Sequence, residues 1–381
     1  MRILADENIP RVREALAGLD AEITTKLGRA MTRADLQGVD ALLVRSVTRV
    51  DEALLAGTPV RFVGTATIGT DHIDLDYLKS QGIGFSSAAG SNARSVLEYV
   101  LTALAHIAVA RGIDWRGKTL GIVGRGNIGS LVEEHAGALG LSTIVCDPPL
   151  ARAGGGGMFV DLDTLLELSD VVTCHVPLNR QGPDKTVGLI GARELELLGP
   201  GGWIVNSSRG VVVDNEALES ALAEGRIGGA VLDVWEGEPR ISQSLARRVH
   251  LATAHIAGYS AEGKLNGTRQ IADALRAHFG APPVRGLQLE PAATPGIAAP
   301  GAGDFWSQAL HAFTHSYPIM ADDWALRETL DLATGDKRGA AFDRLRKDYP
   351  ERREFANYRF SPSDFREDVV KSLLQLGFTA I

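Results

Sequence analysis

The chain has 381 residues, 45% hydrophobic and 23% charged, with a formal net charge of -8 at pH 7. That length exceeds one ordinary core and predicts two or three domains. The acidic balance argues against a nucleic-acid partner, because no basic excess is present to replace phosphate counterions.

The two cysteines, Cys146 and Cys174, exclude a disulfide framework and fit a reducing compartment. Both lie in apolar runs and read as small buried fillers. The start, "MRILADENIP", carries charge at once and lacks an apolar signal core. The run Tyr99 to Ala110 holds His106 and is too short to cross a bilayer. The expectation is a cytoplasmic protein with no membrane partner.

In chain order, "MRILADE", "ALLVRS", "RFVGTAT" and "GIGFSSAA" read as four strands with helical stretches between them, such as Val50 to Ala56. Such alternation predicts a mostly parallel sheet with helices on its faces. Ser91 and Asn92 then precede a long apolar helix, Ala93 to Arg111, since either side chain can accept from the free N–H groups of the first turn. A second alternating unit runs through "KTLGIVGRGNIG", "STIVCD", "VVTCHVPL", "GWIVNSSRG", "GAVLDVW" and "VHLATAHIAG", with helices such as Asn127 to Leu139 and Asn215 to Glu224. Six such strands suit a doubly wound sheet. A helix Lys264 to Phe279 returns to the first domain, which is therefore discontinuous.

From Ala281 to Gly303 the chain is punctuated by Pro282, Pro283, Pro291, Pro295 and Pro300 and reads as a linker or extended arm. The remaining tail has mixed charge, aromatics and a helical pattern at Phe365 to Leu376. The predicted fold is α/β: two doubly wound, Rossmann-like parallel-sheet domains plus a small C-terminal α+β dimerisation domain. The predicted boundaries are 1–92 with 258–280 for substrate, 93–257 for cofactor, and 281–381 for the arm and a homodimer contact.

"GRGNIG" sets Gly124, Gly126 and Gly129 at G-x-G-x-x-G spacing between a strand and a helix, with Asn127 and Ile128 opening that helix. The glycines permit a tight turn and close approach of a pyrophosphate, and the helix N-terminus offers free N–H groups. Asp147 ends the next strand, 18 residues after Gly129. A carboxylate there can accept from the adenosine ribose hydroxyls and would repel a 2′-phosphate, so NAD is favoured over NADP. The competing roles for Asp147 are a solvated loop residue or a helix cap. Arg125 beside it could blur the preference by meeting a phosphate.

Arg209, Glu238 and His255 each follow a strand of the second sheet, 29 and 17 residues apart, where ligands of such sheets bind. Oxidising a hydroxy acid requires a group that takes the hydroxyl proton, and histidine titrates in the right range. A carboxylate on its other ring nitrogen fixes the tautomer. Arginine offers a planar fork for a carboxylate and polarises the reacting oxygen. No metal is expected: His72 lies between two aspartates in "TDHID", but the spacing gives no convergent ligand set.

At these residues the chain resembles the D-isomer-specific 2-hydroxyacid dehydrogenases, through "GRGNIG", "NSSRGVVVDNEAL", "LDVWEGEP" and "HIAGYS". The resemblance implies Arg209, Glu238 and His255 as catalytic trio. It adds Ser207, Asp233 and Gly258 along the nicotinamide end of the cofactor site, and Ser208 to that site. A narrower likeness, through "ILADENIP", "LLVRSVT", "FVGTATIGTDHID", "CDPP", "GPDKT" and "AGYSAEGK", implies a small phosphorylated hydroxy acid as substrate, with Ser46, Thr67 and Tyr259 touching it. For its phosphate, Arg45 in a strand-to-loop turn is preferred, while Arg94 and Arg346 read as ordinary surface arginines. Small residues in "GTATIGTDHID" offer backbone N–H groups for a carboxylate, and "AGGGG" at Ala153 to Gly157 reads as a surface loop without function. Two other functions stay open: oxidation of another 2-hydroxy acid such as D-3-phosphoglycerate, or NAD(H) sensing by a corepressor.

Overall fold

The computed structural model describes residues 1–290, 296–335 and 337–381. Packing separates two units, Met1–Asn92 with Ser260–Pro291 and Ala93–Tyr259 with Ala292–Ile381.

The first unit carries five parallel strands, β1 (Arg2–Asp6), β2 (Glu22–Lys26), β3 (Ala41–Val44), β4 (Phe62–Thr65) and β5 (Gly84–Ser87), ordered β2-β1-β3-β4-β5. Four of these were expected from sequence. The fifth, β2, was missed because "EITTK" is polar and half exposed, as suits an edge strand. Central strands β3 and β4 are apolar but for Thr65 and are buried on both faces. The expected helix at Val50 to Ala56 is shorter, Glu52–Leu55, because the Asp51 carboxylate accepts from Leu54 N–H at 3.1 Å and sets its start. The returning helix runs Ala261–His278 and begins earlier than expected, its cap being Ser260, whose hydroxyl accepts from Gly263 N–H at 2.8 Å. This helix lies so close to β4 that a Cβ at Gly64 would meet Ile271 at 3.3 Å. The Pro-rich stretch does not leave the unit at once: Val284 N–H donates to Asp273 at 2.6 Å, and Leu287 is buried in the core. Pro291 and Pro295 lie outside the described residues.

The second unit holds all six expected strands: β6 (Thr119–Val123), β7 (Ser142–Cys146), β8 (Val171–Cys174), β9 (Trp203–Asn206), β10 (Gly229–Leu232) and β11 (Leu251–Ala252). All are parallel, in the order β11-β10-β9-β8-β6-β7, and Phe159 adds a single bridge to the outer edge of β7. The chain therefore reverses direction of travel across the sheet between β6 and β8, where ligands of doubly wound sheets bind. Helix Ala93–Arg111 has the predicted bounds. It is long and apolar enough to cross a membrane, but most of it is buried in the core.

Helices Phe305–Ser316, Ile319–Leu332, Lys337–Lys347 and Glu367–Gln375 follow, with a two-residue parallel pair, β12 (Arg359–Phe360) and β13 (Thr379–Ala380). The helix expected at Phe365 to Leu376 is thus Glu367–Gln375; Phe365 instead turns its ring edge-on to Phe360 at 5.5 Å. This C-terminal part shares the core of the second unit. Phe313, Phe355 and Phe378 form a three-ring cluster, Phe355 stacking on the other two at 5.1 and 4.5 Å, and Arg352 donates to the carbonyls of Ser95 and Ala257 at 3.1 and 2.7 Å.

Candidate functional site

The glycine-rich turn joins β6 to helix Asn127–Ala136, with Gly126 as N-cap. Each motif glycine has its own reason. Gly124 has φ of 92°, and a Cβ there would lie 2.7 Å from the His175 carbonyl. A Cβ on Gly129 would meet the Gly124 carbonyl at 1.9 Å, so the helix packs directly on the turn. Gly126 faces open space, leaving room for a ligand against the backbone where Asn127 and Ile128 start the helix.

Asp147 follows β7 and is the helix cap weighed from sequence. One oxygen caps the next helix, accepting from Leu150 N–H at 2.9 Å, and the other accepts from Arg125 N–H at 2.8 Å. Lone pairs remain on both oxygens for a ribose hydroxyl. The Arg125 guanidinium is turned to Glu133 and to the Gly156 carbonyl, the latter at 2.9 Å. The "AGGGG" loop thus holds an arginine that could otherwise answer a 2′-phosphate. Ser207 follows β9, and its buried hydroxyl has no partner among the described residues. Ser208 is turned inward and donates to Asn206 at 2.8 Å. An open glycine turn, a helix N-terminus, a carboxylate with lone pairs to spare and an orphaned hydroxyl on one sheet edge fit a dinucleotide.

His255 follows β11 in a left-handed conformation, φ 57°. That costs a non-glycine residue about 1–2 kcal/mol, and Asp233 offsets it. The His255 N–H donates to the Asp233 carbonyl at 2.7 Å. The Asp233 carboxylate, itself buried, accepts from Thr253 Oγ1 (2.7 Å), Ile256 N–H (2.8 Å) and Ala257 N–H (2.9 Å). Asp233 therefore shapes the turn that presents the imidazole and leads to Gly258 and Tyr259.

The Glu238 Oε2 lies 2.8 Å from His255 Nδ1, and its Oε1 accepts from Trp235 N–H at 2.9 Å. Burial pushes this carboxyl's pKa up, but His255, the Trp235 N–H and Arg346 outweigh burial and hold it below the ordinary value. Arg209 lies on a turn that touches the same segment. A Cβ at Gly210 would sit 1.9 Å from the Trp235 carbonyl carbon, so only glycine lets the two backbones meet. The Arg209 guanidinium donates to the Ser208 carbonyl at 2.7 Å. The structure therefore pairs Glu238 with His255 and brings the Arg209 turn onto the Glu238 segment. A cavity of about 320 Å³ opens beside the imidazole turn, lined by Ala254, Ile256, Asp322, Arg344 and Tyr349 among others.

In the first unit, Arg45 and Ser46 form the turn after β3, with Ser46 exposed, and Thr67 follows β4. The Thr67 hydroxyl lies 2.8 Å from Thr65 Oγ1, which in turn lies 2.9 Å from His72 Nε2.

Two expectations are corrected. Arg94 and Arg346 are not ordinary surface arginines. Arg94 pairs with buried Glu98 at 3.3 Å and also reaches His135 at 3.1 Å and the Leu376 carbonyl. Arg346 neighbours Tyr259 and Glu238, and its Nε is buried. Neither arginine carried a local sequence signal, since both neighbourhoods are made by chain distant in sequence.

A family model described as D-isomer specific 2-hydroxyacid dehydrogenase, NAD binding domain, matches residues 102–257. Curated relatives match along nearly the whole length. Erythronate-4-phosphate dehydrogenase of Pseudomonas paraeruginosa is 49% identical, covering 94% of each chain, and that of Salmonella arizonae is 43% identical over 100% of this chain and 99% of its own. The chain belongs to the D-isomer-specific 2-hydroxyacid dehydrogenase family. It is an NAD-binding oxidoreductase. Solved members include a D-lactate dehydrogenase from Aquifex aeolicus complexed with NAD and lactic acid (25% identity, TM-score 0.58, 74% of this chain and 96% of that one). A glyoxylate reductase from Paecilomyes thermophila is similar at 27% identity and TM-score 0.61, covering 73% and 94%. Residues 289–377 match a separate domain model of unknown function.

Proposed function

We propose that this chain oxidises 4-phospho-D-erythronate to (R)-3-hydroxy-2-oxo-4-phosphooxybutanoate with NAD, in pyridoxal 5′-phosphate synthesis in the cytoplasm. The full-length relatives support the substrate, and the 2.8 Å pairing of His255 with Glu238 is the observation that carries the chemistry.

Bound NAD supplies the hydride acceptor. Gly124, Gly126, Asn127, Ile128 and Gly129 would receive its pyrophosphate, Asp147 its adenosine ribose, and Ser207, Asp233 and Gly258 would flank its nicotinamide end, with Ser208 a further cofactor-site residue. A carboxylate on Nδ1 requires the hydrogen there, so Nε2 of the neutral ring carries the lone pair. His255 Nε2 takes the proton of the substrate's 2-hydroxyl as the hydride leaves carbon. Glu238 holds the ring and stabilises the imidazolium formed. Arg209 grips the substrate carboxylate and polarises the reacting oxygen. Tyr259, Ser46 and Thr67 bind substrate, and Arg45 meets its phosphate. Residues 281–381 carry a homodimer contact, favoured by the exposed Trp324 and Leu332 of helix Ile319–Leu332, 64% and 76% exposed.

Steady-state assays with NAD and a panel of hydroxy acids test the reading. A clear preference for 4-phospho-D-erythronate over D-3-phosphoglycerate and unphosphorylated acids is expected. Equal turnover across the panel removes the substrate assignment, and NADH binding without any turnover favours a sensor.

A further inference from the structure

Helix Lys337–Lys347 begins against the turn that carries Glu238. A Cβ on Gly339 would meet Pro239 Cγ at 3.3 Å and Arg240 Cγ at 3.4 Å, and Arg338 donates to Gln243 at 2.9 Å. Positions 339, 342 and 346 share one helical face, and Phe342 on that face is fully buried. Arg346 lies on the same stripe and neighbours Tyr259 and Glu238, whose carboxylate its charge favours. Tyr259 is fixed from its other side by the edge of Tyr349, ring centroids 5.6 Å apart. The Arg346 Nε is buried and without a partner among the described residues. A buried N–H donor without a partner is costly unless a neighbour or a ligand repays it.

We propose that Arg346, from the C-terminal part, is a positioning residue of the active site that holds the Tyr259 hydroxyl and biases the Glu238–His255 pair by its charge. The charged and titratable groups facing Arg346 are Tyr259, Glu238 and Asp233; those facing Glu238 are His255 and Arg346. Because a nearby cation disfavours protonation of both members of the pair, its removal makes the imidazolium easier to form. The limb of the oxidative pH profile on which the imidazole must be neutral then moves to higher pH. This role rests on His255 and Glu238 being the acid–base pair.

The test compares R346Q and R346K with the parent in full pH profiles of kcat and kcat/KM, with NADH binding followed by fluorescence. R346Q should raise KM for the hydroxy acid by roughly tenfold and move the acid limb up by about half a unit, with NADH affinity kept. R346K, which keeps the charge but not the planar fork, should raise KM with the limb in place. R346Q with KM and profile unchanged overturns the proposal while leaving the acid–base reading intact; an active H255A would instead sink that reading. Should R346Q not fold, R346K combined with Y259F decides: coupled losses in kcat/KM support the contact, and losses that simply multiply overturn it.

Discussion

Two glutamates of the second unit make opposite use of burial. Glu98, inside helix Ala93–Arg111, is almost completely buried, accepts from Phe355 N–H at 2.9 Å and lies 3.3 Å from Arg94. Burial and neighbouring Glu354 nevertheless outweigh Arg352 and Arg94, and its pKa is pushed up to about 8. Glu238 is also sheltered, yet His255 and the Trp235 N–H hold its carboxyl below the ordinary value. The difference is the partner: a ring nitrogen at 2.8 Å with matched geometry repays desolvation, and guanidinium groups shared with other carbonyls do not. One carboxyl ties the C-terminal part to the core, and the other stays ionised against an imidazole.

The contrast breaks first at the imidazole. H255A should lower turnover by about 10²–10⁴-fold, as for loss of a general base, with NADH binding nearly unchanged. Turnover at the parent level would take His255 out of the mechanism. E238Q should cost at most as much, about 10²–10⁴-fold in kcat, since Gln has one acceptor oxygen for the two N–H donors that Glu238 serves and cannot stabilise the imidazolium. Its acid limb should move to lower pH, the direction opposite to R346Q. A profile that stays put would mean that Glu238 only orients the turn. D147A should be smaller still, raising KM for NAD by about tenfold, the loss of one charge-assisted hydrogen bond. The same substitution removes a helix cap, so a fall in thermal stability with KM for NAD unchanged would leave Asp147 structural.

Much of this was legible from residues alone because the second unit is built of local signals. The apolar runs "TLGIV", "VVTC" and "WIVN" can only be buried strands, the glycine spacing marks a turn, and Arg209, Glu238 and His255 each stand just past a strand. What escaped has a common cause. The strand β2 is polar and at a sheet edge, so no periodicity betrays it. Arg94 and Arg346 acquire their partners, Leu376 and Tyr259, across 282 and 87 residues, and charge alone reads as solvent exposure. Glu98 is concealed in the same way, since one carboxyl in an otherwise apolar helix reads as a surface position until Phe355 and Arg352 close over it. Gly210 was equally silent; its need arises only where it meets Trp235.

The sharpest separation of the two glutamates is E98Q, which should leave turnover within about twofold while changing how stability depends on pH. An acid whose pKa is higher in the folded than the unfolded state carries an extra proton only when folded. Its contribution to stability is therefore most favourable below the unfolded value, about 4.3, and is lost as pH rises through the folded value of about 8. Gln keeps the shape and still accepts from Phe355 N–H but does not titrate. E98Q and the parent should thus melt together near pH 5 and diverge above it, with E98Q the more stable by roughly 1–3 kcal/mol at pH 8.5. The matched measurement on E238Q should run the other way, because Glu238 contributes stability that is present at neutral pH and lost on acidification. Melting curves of the two variants that track each other across pH 5–8.5 would show that burial, and not the partner, sets both carboxyls.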